Sequence, residues 1–401
     1  MVSFPENWSN LHVALSHDWL TGMRGGERVL ELLCDGFPAA PVYSLIHNPR
    51  VVSAPINRHE IRTSFLQHVP GVFRRYRYFL PLYTAAMSFQ RAPAADLLIS
   101  TSHCVAKGLR PRPGTKHLCY CFTPMRYAWL FYDEYFGGNP AKKVFLEPLL
   151  AHLRNWDRKA SDRVDYFVAI SQHVRRRIEI FYGRPSEVVY PPVNTDFYTP
   201  GEKGHYGFDL IVSALVPYKR LDIAVNAYAR TGYPLKVVGT GTERGALETI
   251  AAKNIEFLGW QPDEKVRDLY RQCRLLVFPG EEDFGIVPVE AQACGKPVVA
   301  FGHGGALETI VDGVTGVFFK EQSEEAIVFA VDECAARTWD QDAIRKNAER
   351  FSTQSFLNGL DQCIQRCLTG RPPRGTQHGE TVVQPVAAAG TLQVLGGPRQ
   401  A

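Results

Sequence analysis

The amino-acid sequence predicts an α/β protein of two tandem domains, each built on a parallel sheet with helices on both faces. The length of 401 residues fits two domains of ordinary size. Short apolar runs alternate with amphipathic segments of helical length along most of the chain. This alternation favours parallel sheets, because a crossover helix must return the chain before the next parallel strand begins.

The predicted elements follow from that alternation. Strands are expected at 12–16, 96–100, 116–121 and 166–170, and then at 208–215, 235–239, 255–259, 275–279 and 297–301. Helices are expected at 221–230, 242–253 and 263–274, with two closing helices inside 340–368. Ligands of such sheets bind at the carboxyl ends of the strands, so those ends are where functional residues are sought.

The boundary between the domains is predicted at the pair Pro191-Pro192. The two rings fix φ and remove two N–H donors, so neither a helix nor a central strand continues through them. The linker is placed near 191–206, which gives domains at 1–193 and 194–368. The tail 369–401 is rich in Pro, Gly, Ala and Gln and has no sustained periodicity, so it is expected to be disordered.

Composition narrows the class of protein. Apolar residues make up 45% and charged residues 21%, which is typical of a globular chain. No apolar run reaches the roughly 18–20 residues of a membrane-spanning helix, and no signal peptide is visible at the N-terminus. Nine scattered cysteines show neither a C-x-x-C pair nor a zinc-like spacing. These features predict a cytoplasmic protein without a metal site.

Charge is distributed unevenly between the two predicted domains. Residues 1–195 carry a formal charge of +9, whereas residues 196–368 carry −7. The two halves are therefore expected to meet different partners. A basic half suits nucleic acid, an anionic membrane or a phosphorylated substrate.

The most informative motif is EDFGIVPVE at residues 282–290, directly after the predicted strand 275–279. It reads as a strand, a loop and then the N-terminus of a helix, where free backbone N–H groups suit an anion. Ionised carboxylates only accept hydrogen bonds, so Glu282 and Glu290 suit the hydroxyls of a sugar or ribose. The structural alternative is one helix-capping acid and one exposed acid.

This segment resembles the E-x7-E signature of retaining GT-B glycosyltransferases of family 4, and the resemblance runs from about residue 12 to residue 350. It implies two Rossmann-like, doubly wound domains that face each other across a cleft, with no catalytic metal and no cofactor. It assigns the nucleotide ribose to Glu290 and the donor sugar or phosphate to Glu282. The loop residues that it adds to the donor site are Phe284, Gly285, Ile286 and Val287.

A second motif, SALVPYKR at residues 213–220, places two cations at the start of a predicted helix. A departing diphosphate needs fixed positive charge where negative charge develops. The family resemblance assigns this contact to Lys219. The family usually has an arginine where this chain has Ala214, and Arg220 is the candidate substitute. The alternative is that both cations are solvated on a helix surface.

The first domain contributes a glycine-containing loop with Gly25 and Gly26 before a helix. Such glycines let backbone N–H groups approach a phosphate or sugar closely, although an ordinary tight turn explains them as well. In the family this loop faces donor and acceptor, so both glycines are assigned to the donor site. His17 and Asp18 lie near its start and are candidates for the sugar neighbourhood. His17 can equally be a structural residue at a strand end.

The segment CFTPMRYAW at 121–129 departs from the family pattern. Similar members that act in bacterial surface-polysaccharide synthesis have a histidine close to the transferred sugar at the position of Phe122. A phenylalanine neither binds a sugar hydroxyl nor relays a proton. Either the protein works without that contact, or His17 or Arg126 compensates, or its activity is weakened.

Two other patterns resemble a dinucleotide-binding loop and a metal-binding D-x-D, but each has a different interpretation. The loop GTGTERG at 239–245 resembles a dinucleotide loop, but its glycine spacing is one residue too long, which argues against an oxidoreductase. The D-x-D at 340–342 opens a late helix, where Asp340 is expected to act as an N-cap.

The segment FRRYRYFLPLY at 73–83 mixes arginines with aromatic residues. It suits an anionic membrane surface or single-stranded nucleic acid, and it is equally compatible with a packed helix that has a basic outer face. The glycosyltransferase resemblance favours the membrane, because acceptors in this family are often lipid-linked. It predicts peripheral attachment to the inner face of the plasma membrane and no nucleic acid.

The function expected from the resemblance is retaining transfer of a hexose, with mannose favoured, from a nucleotide-diphosphate sugar. GDP-mannose is the favoured donor. A glycan or a polyprenyl-diphosphate-linked sugar is the expected acceptor, in surface-polysaccharide synthesis. The alternative is a non-catalytic sugar-nucleotide-binding partner of another transferase, which Phe122 and Ala214 motivate.

Overall fold

The computed structural model describes residues 3–129, 140–202 and 207–373, with the side chains of 140–145 left out. It contains two wholly parallel sheets, with strand orders β3-β2-β1-β4-β5-β6-β7 and β10-β9-β8-β11-β12-β13. The strands are β1 Val13–His17, β2 Val42–Ser44, β3 Ile61–Thr63, β4 Leu97–Ser102, β5 Lys116–Cys121, β6 Tyr166–Ala169, β7 Ser186–Val188, β8 Asp209–Val212, β9 Leu235–Val238, β10 Ile255–Gly259, β11 Leu276–Phe278, β12 Val298–Phe301 and β13 Gly316–Phe319. The predicted fold class is confirmed.

Helices connect successive strands and cover both faces of each sheet. In the first unit they are Gly25–Gly36, Ala54–Asn57, Val72–Arg75, Leu80–Ser88, Arg126–Trp129, Pro140–Ser161 and Gln172–Tyr182. In the second they are Leu221–Thr231, Arg244–Ile250, Asp263–Gln272, Ile286–Ala293, Ala306–Thr309, Glu324–Ala336 and Gln341–Glu349, followed by Thr353–Leu368. Asp340 caps the helix Gln341–Glu349 through its side chain, as predicted.

Most of the predicted strands are buried and form short apolar runs, and the partly exposed edge strand β10 also has its predicted bounds. β5 has the predicted bounds, and β4 lies within two residues of them. The strands that the sequence analysis missed are short: β2 and β3 have three residues each, and β13 has four. So few residues do not show a clear period, so only pairing in the sheet identifies them.

The last helix, Thr353–Leu368, packs against the first sheet rather than the second. The ring of Phe356 meets Tyr120 of β5 edge to face, with 5.6 Å between centroids. Trp8 Nε1 donates to the carboxylate of Asp361 at 2.9 Å. The sequence analysis placed this helix with the second domain because it follows that domain in the chain. From residue 374 on, the tail lies outside the described residues.

Candidate active site

The carboxyl ends of the two sheets face each other, and two helix N-termini meet there. Gly25 opens the helix after β1, and Ile286 opens the helix after β11. A Cβ atom added to Gly25 would lie only 2.8 Å from Ile286 Cδ1. The first domain therefore presents glycine where its helix approaches the predicted donor loop of the second domain.

The loop that carries Glu282 is held by backbone contacts on both sides. Gly280 passes so close to the neighbouring turn that an added Cβ would lie 2.8 Å from Lys219 Cα. On the other side, the Gly305 N–H donates to the Glu282 carbonyl at 2.8 Å. These contacts fix where the Glu282 side chain starts, so its position does not depend on a ligand.

Lys219 and Glu282 form an ion pair at the carboxyl ends of β8 and β11. The Lys219 ammonium also lies over the ring of Tyr218, 5.1 Å from its centroid. Both partners are only partly exposed, so their charges act in a region of reduced dielectric. The structure thus brings together two of the predicted catalytic residues, 63 positions apart in sequence.

Arg220 has partners other than those of its neighbour Lys219. Its backbone is left-handed, with φ of 51°, and its guanidinium contacts Asp222 at 3.2 Å and Gln322 Oε1 at 3.3 Å. It lines a cavity of about 360 Å³ together with Tyr218, Leu221 and Glu243. The adjacent side chains thus have different partners, Glu282 for Lys219 and Asp222 with Gln322 for Arg220, and the contact of Arg220 with a diphosphate stays a prediction.

Glu290 lies within the helix Ile286–Ala293 and is half-buried beside aromatic residues. Its Oε2 accepts a hydrogen bond from the Tyr270 hydroxyl at 2.9 Å. Burial raises the pKa of the Glu290 carboxyl to about 7, although the hydrogen bonds from Tyr270 and Tyr198 oppose the shift. A carboxyl that titrates near neutral pH in a cleft is typical of a functional site.

The intervening loop contributes backbone more than side chains. The ring of Phe284 is buried between Tyr190 and Phe351, with 5.6 and 5.4 Å between centroids. Gly285 is left-handed, with φ of 92°, and Ile286 and Val287 are half-buried. The Phe284 side chain is therefore not available to a ligand, and this residue can contact one only through its main chain.

On the first domain, His17 and Phe122 lie together beside Gly26. A Cβ added to Gly26 would lie 3.2 Å from the Phe122 ring and 3.4 Å from His17 Cε1. Thr101 Oγ1 donates to the Ser16 carbonyl, so it accepts from His17 Nδ1 at 2.8 Å. Burial lowers the pKa of His17, opposed by the nearby acids, so this imidazole is neutral near pH 7.

Asp18 is fully buried and does not reach the cleft. Its two oxygens accept from the backbone N–H groups of residues 103–106 at 2.6–3.0 Å, and His103 Nδ1 lies 3.0 Å from Oδ2. Burial alone would raise the pKa of Asp18, but His103 and these hydrogen bonds hold it well below its ordinary value. Its expected place in the sugar neighbourhood is therefore corrected: Asp18 positions the loop after β4.

Arg126 is engaged across the cleft rather than free to meet a sugar. It pairs with Asp283 of the second domain, and Arg177 pairs with the same carboxylate. Burial alone would raise the pKa of Asp283, but the two guanidinium groups offset this and hold it below its ordinary value. Arg126 thus joins the domains, which argues against its replacing the histidine missing at Phe122.

Several residues at this interface were missed by the sequence analysis. Asp283 lies inside the motif but received no role, and Arg177 lies in a helix with no motif. Glu308 accepts from the N–H groups of Gln172 at 2.8 Å and His173 at 3.0 Å, so it caps a helix of the other domain. The acidic run 281–283 directly after a strand was the one available signal.

Within the described ranges, no three His, Cys, Asp or Glu side chains converge in a way that would hold a metal ion. Over those same residues, no helix has both the length and the apolar character needed to cross a membrane.

Comparison with known families matches both halves of the chain. Residues 23–197 match Glycosyltransferase Family 4, and residues 199–351 match Glycosyl transferases group 1. The fold is that of GT-B glycosyltransferases. The chain belongs to the group 1 glycosyltransferases, with an N-terminal domain of the Family 4 type.

Two curated relatives show how far the sequence similarity extends. An uncharacterized glycosyltransferase of Methanocaldococcus jannaschii is 28% identical over 204 residues, which cover 50% of this chain and 58% of the relative. A D-inositol 3-phosphate glycosyltransferase of Mycobacteroides abscessus is 31% identical over 232 residues, which cover 52% of this chain and 50% of the relative. The matched region thus spans about half the length of these relatives.

Solved structures resemble the whole fold. The lipopolysaccharide outer core galactosyltransferase WaaB, in its apo form, has a TM-score of 0.62 and 17% identity, with 88% of this chain and 99% of that one covered. Anabaena HepE in complex with UDP-glucose has a TM-score of 0.63 and 18% identity, with the same coverage. At these identities the likeness establishes the fold.

Proposed function

We propose that this protein is a retaining glycosyltransferase that uses a nucleotide-diphosphate sugar. One observation carries the proposal: the Lys219–Glu282 pair and Glu290 flank a single loop that faces the glycine-opened helix of the other domain. A cation, a sugar-facing carboxylate and a ribose-facing carboxylate are then arranged along one ligand.

Each residue has a distinct task in this mechanism. Glu290 accepts hydrogen bonds from the ribose hydroxyls, and Glu282 accepts from the donor sugar. Lys219 offsets the charge that grows on the diphosphate as the sugar leaves, so it binds the transition state more strongly than the ground state. The bond from the anomeric carbon to the diphosphate oxygen breaks, the acceptor oxygen bonds on the same face, and the acceptor proton passes to the departing diphosphate.

The donor nucleotide is left to experiment within one chemical class. The family resemblance favours GDP-mannose, whereas the solved relative HepE binds UDP-glucose. We therefore choose both compounds, together with UDP-galactose, as the first donors to test.

The acceptor is proposed to be a glycan or a polyprenyl-diphosphate-linked sugar at the cytoplasmic face of a membrane, in surface-polysaccharide synthesis. The segment 72–88 supports this, because Tyr76, Leu80 and Tyr83 anchor it in the core while Tyr78 is 83% exposed. Phe73 and Leu82 are also exposed beside three exposed arginines, Arg74, Arg75 and Arg77. An apolar surface ringed by cations suits an anionic lipid interface.

Product analysis tests the proposed activity. The purified protein is incubated with each donor and a lipid-linked sugar, and the anomeric configuration of the product is read by NMR. Transfer with retention supports the proposal. If neither GDP- nor UDP-sugars are bound or consumed, the proposal is wrong. Sedimentation with anionic and with neutral vesicles tests the surface, and equal binding of wild type and Tyr78→Ser would exclude its role.

The second candidate is a non-catalytic sugar-nucleotide-binding partner of another transferase. Phe122 favours it, because its ring fills the space beside Gly26 where a hydrogen-bonding side chain is expected. Donor binding without turnover against any acceptor would support this candidate. If turnover appears only in Phe122→His, the phenylalanine that this chain has in place of the family's histidine is what silences a transferase.

A further inference from the structure

His103 stands out among the residues that the mechanism does not use. It follows β4, while His17 ends β1 and Phe122 follows β5, so the three side chains leave neighbouring strands at one edge of the sheet. His103 lies against Trp19, with 4.5 Å between ring centroids, and its ring centroid is 6.4 Å from that of Phe122. It therefore lies beside the ring of Phe122, which itself borders Gly26 at the start of the helix that approaches the donor loop.

The carboxylate of Asp18 fixes the orientation of the His103 imidazole. His103 Nδ1 lies 3.0 Å from the Asp18 carboxylate, which four backbone N–H groups also hold. Because that carboxylate is ionised, Nδ1 carries the proton and donates to it. In the neutral ring this leaves the lone pair on Nε2, the nitrogen on the opposite side.

That second nitrogen is available to a ligand. No hydrogen bond to His103 Nε2 occurs among the described residues, and the side chain is 29% exposed. By contrast, His17 is buried, and Arg126 is engaged by Asp283. His103 is thus the ring at this edge that combines a fixed orientation with an outward acceptor.

We propose that His103 binds a hydroxyl of the transferred sugar through Nε2, with Asp18 as its positioning residue. The assignment rests on the proposed glycosyltransferase activity and deepens it. A buried carboxylate that fixes the tautomer of a partly exposed imidazole makes Nε2 an acceptor, and a sugar hydroxyl is the matching donor. Phe122 supplies the apolar wall beside it.

Two substitutions at His103 separate this role from a structural one. In His103→Asn the side-chain amide can still donate to Asp18, but no atom remains at the position of Nε2. In His103→Gln an acceptor remains near that position, while the bond to Asp18 is lost. A ligand-binding role predicts that the glutamine variant retains more activity, whereas a structural role predicts the reverse.

The assay uses the full chain with whichever of UDP-glucose, UDP-galactose or GDP-mannose the wild type turns over. His103→Asn should lower kcat/KM about tenfold or more, and His103→Gln only about threefold. Donor hydrolysis without acceptor should fall in the same proportion, and affinity for UDP or GDP alone should stay unchanged in both variants. Thermal unfolding checks that both variants fold.

The outcomes distinguish this inference from the activity on which it rests. If the wild type binds and consumes no donor, the proposed function fails and the inference with it. If the wild type is active and the asparagine variant equals or exceeds the glutamine variant, the assignment of His103 alone is overturned. A loss confined to transfer, with hydrolysis intact, would overturn the choice of the donor sugar by placing the hydroxyl on the acceptor.

Discussion

Lowering the pH from 8 to 6 is expected to weaken donor binding about tenfold through Glu290. The pKa of this carboxyl is raised to about 7 by burial. Ribose hydroxyls need the ionised carboxylate as acceptor. With a pKa near 7, roughly one molecule in eleven is ionised at pH 6 and ten in eleven at pH 8, which sets the factor of about ten. Glu290→Gln should bind more weakly and without this pH dependence.

Calorimetry with UDP-glucose or GDP-mannose at several pH values measures the effect. A sugar nucleotide is preferred to free UDP, because a terminal phosphate itself titrates near pH 6. Proton release on binding near pH 7 should accompany the gain in affinity. Identical pH profiles for wild type and Glu290→Gln would refute the assignment and leave Glu290 as a helix-packing residue.

The same shift has a consequence that needs no ligand. A raised acid pKa in the folded state gives stability that is present below the unfolded value of 4.5 and is lost as the pH rises through about 7. The full shift corresponds to roughly 3 kcal/mol as an upper limit. Denaturant unfolding should therefore show Glu290→Gln gaining stability relative to wild type between pH 5 and pH 8, and an unchanged difference would contradict the shift.

Three further substitutions test the rest of the site. Lys219→Ala should lower kcat by about 10²–10³ with donor affinity changed little, because its charge acts on the leaving diphosphate; an effect on KM alone would contradict this. Arg220→Ala should change kcat far less in steady-state assays, since its guanidinium is held by Asp222 and Gln322, and a loss comparable to Lys219→Ala would restore Arg220 to the catalytic site. Asp283→Ala removes the carboxylate shared by two arginines and should lower the free energy of unfolding by about 3–5 kcal/mol in denaturant unfolding. Glu256→Ala is the control, because Glu256 is an exposed acid, and it should change the free energy of unfolding by less than about 1 kcal/mol.

The sequence determined the architecture because buried parallel strands and covering helices leave different periods in the chain. β5 was located to the residue, and the motif at 282–290 was placed correctly as a loop between a strand and a helix. Residues that follow strand ends were sought as functional, and Lys219 and Glu282 do meet in the structure. These successes all depend on local patterns within about ten residues.

Only the tertiary structure determined which contacts the side chains at those positions make. Asp283 meets Arg126 and Arg177, 157 and 106 residues earlier in the chain, and no periodicity specifies contacts over such separations. Arg220 contacts Asp222 and Gln322 from a left-handed backbone, a conformation that is rare for arginine and that no local sequence pattern predicts.

Asp18 and the imidazole of His103 that it positions show most clearly the difference between what the sequence predicts and what the tertiary structure determines. The sequence analysis placed Asp18 in the sugar neighbourhood, whereas folding surrounds it with the backbone N–H groups of the loop after β4. A charge taken out of water must find partners, and those partners come from a segment 85 or more residues away. Motifs and the family resemblance thus identified the candidate groups, but burial and long-range pairing determined which of them remain available to a ligand.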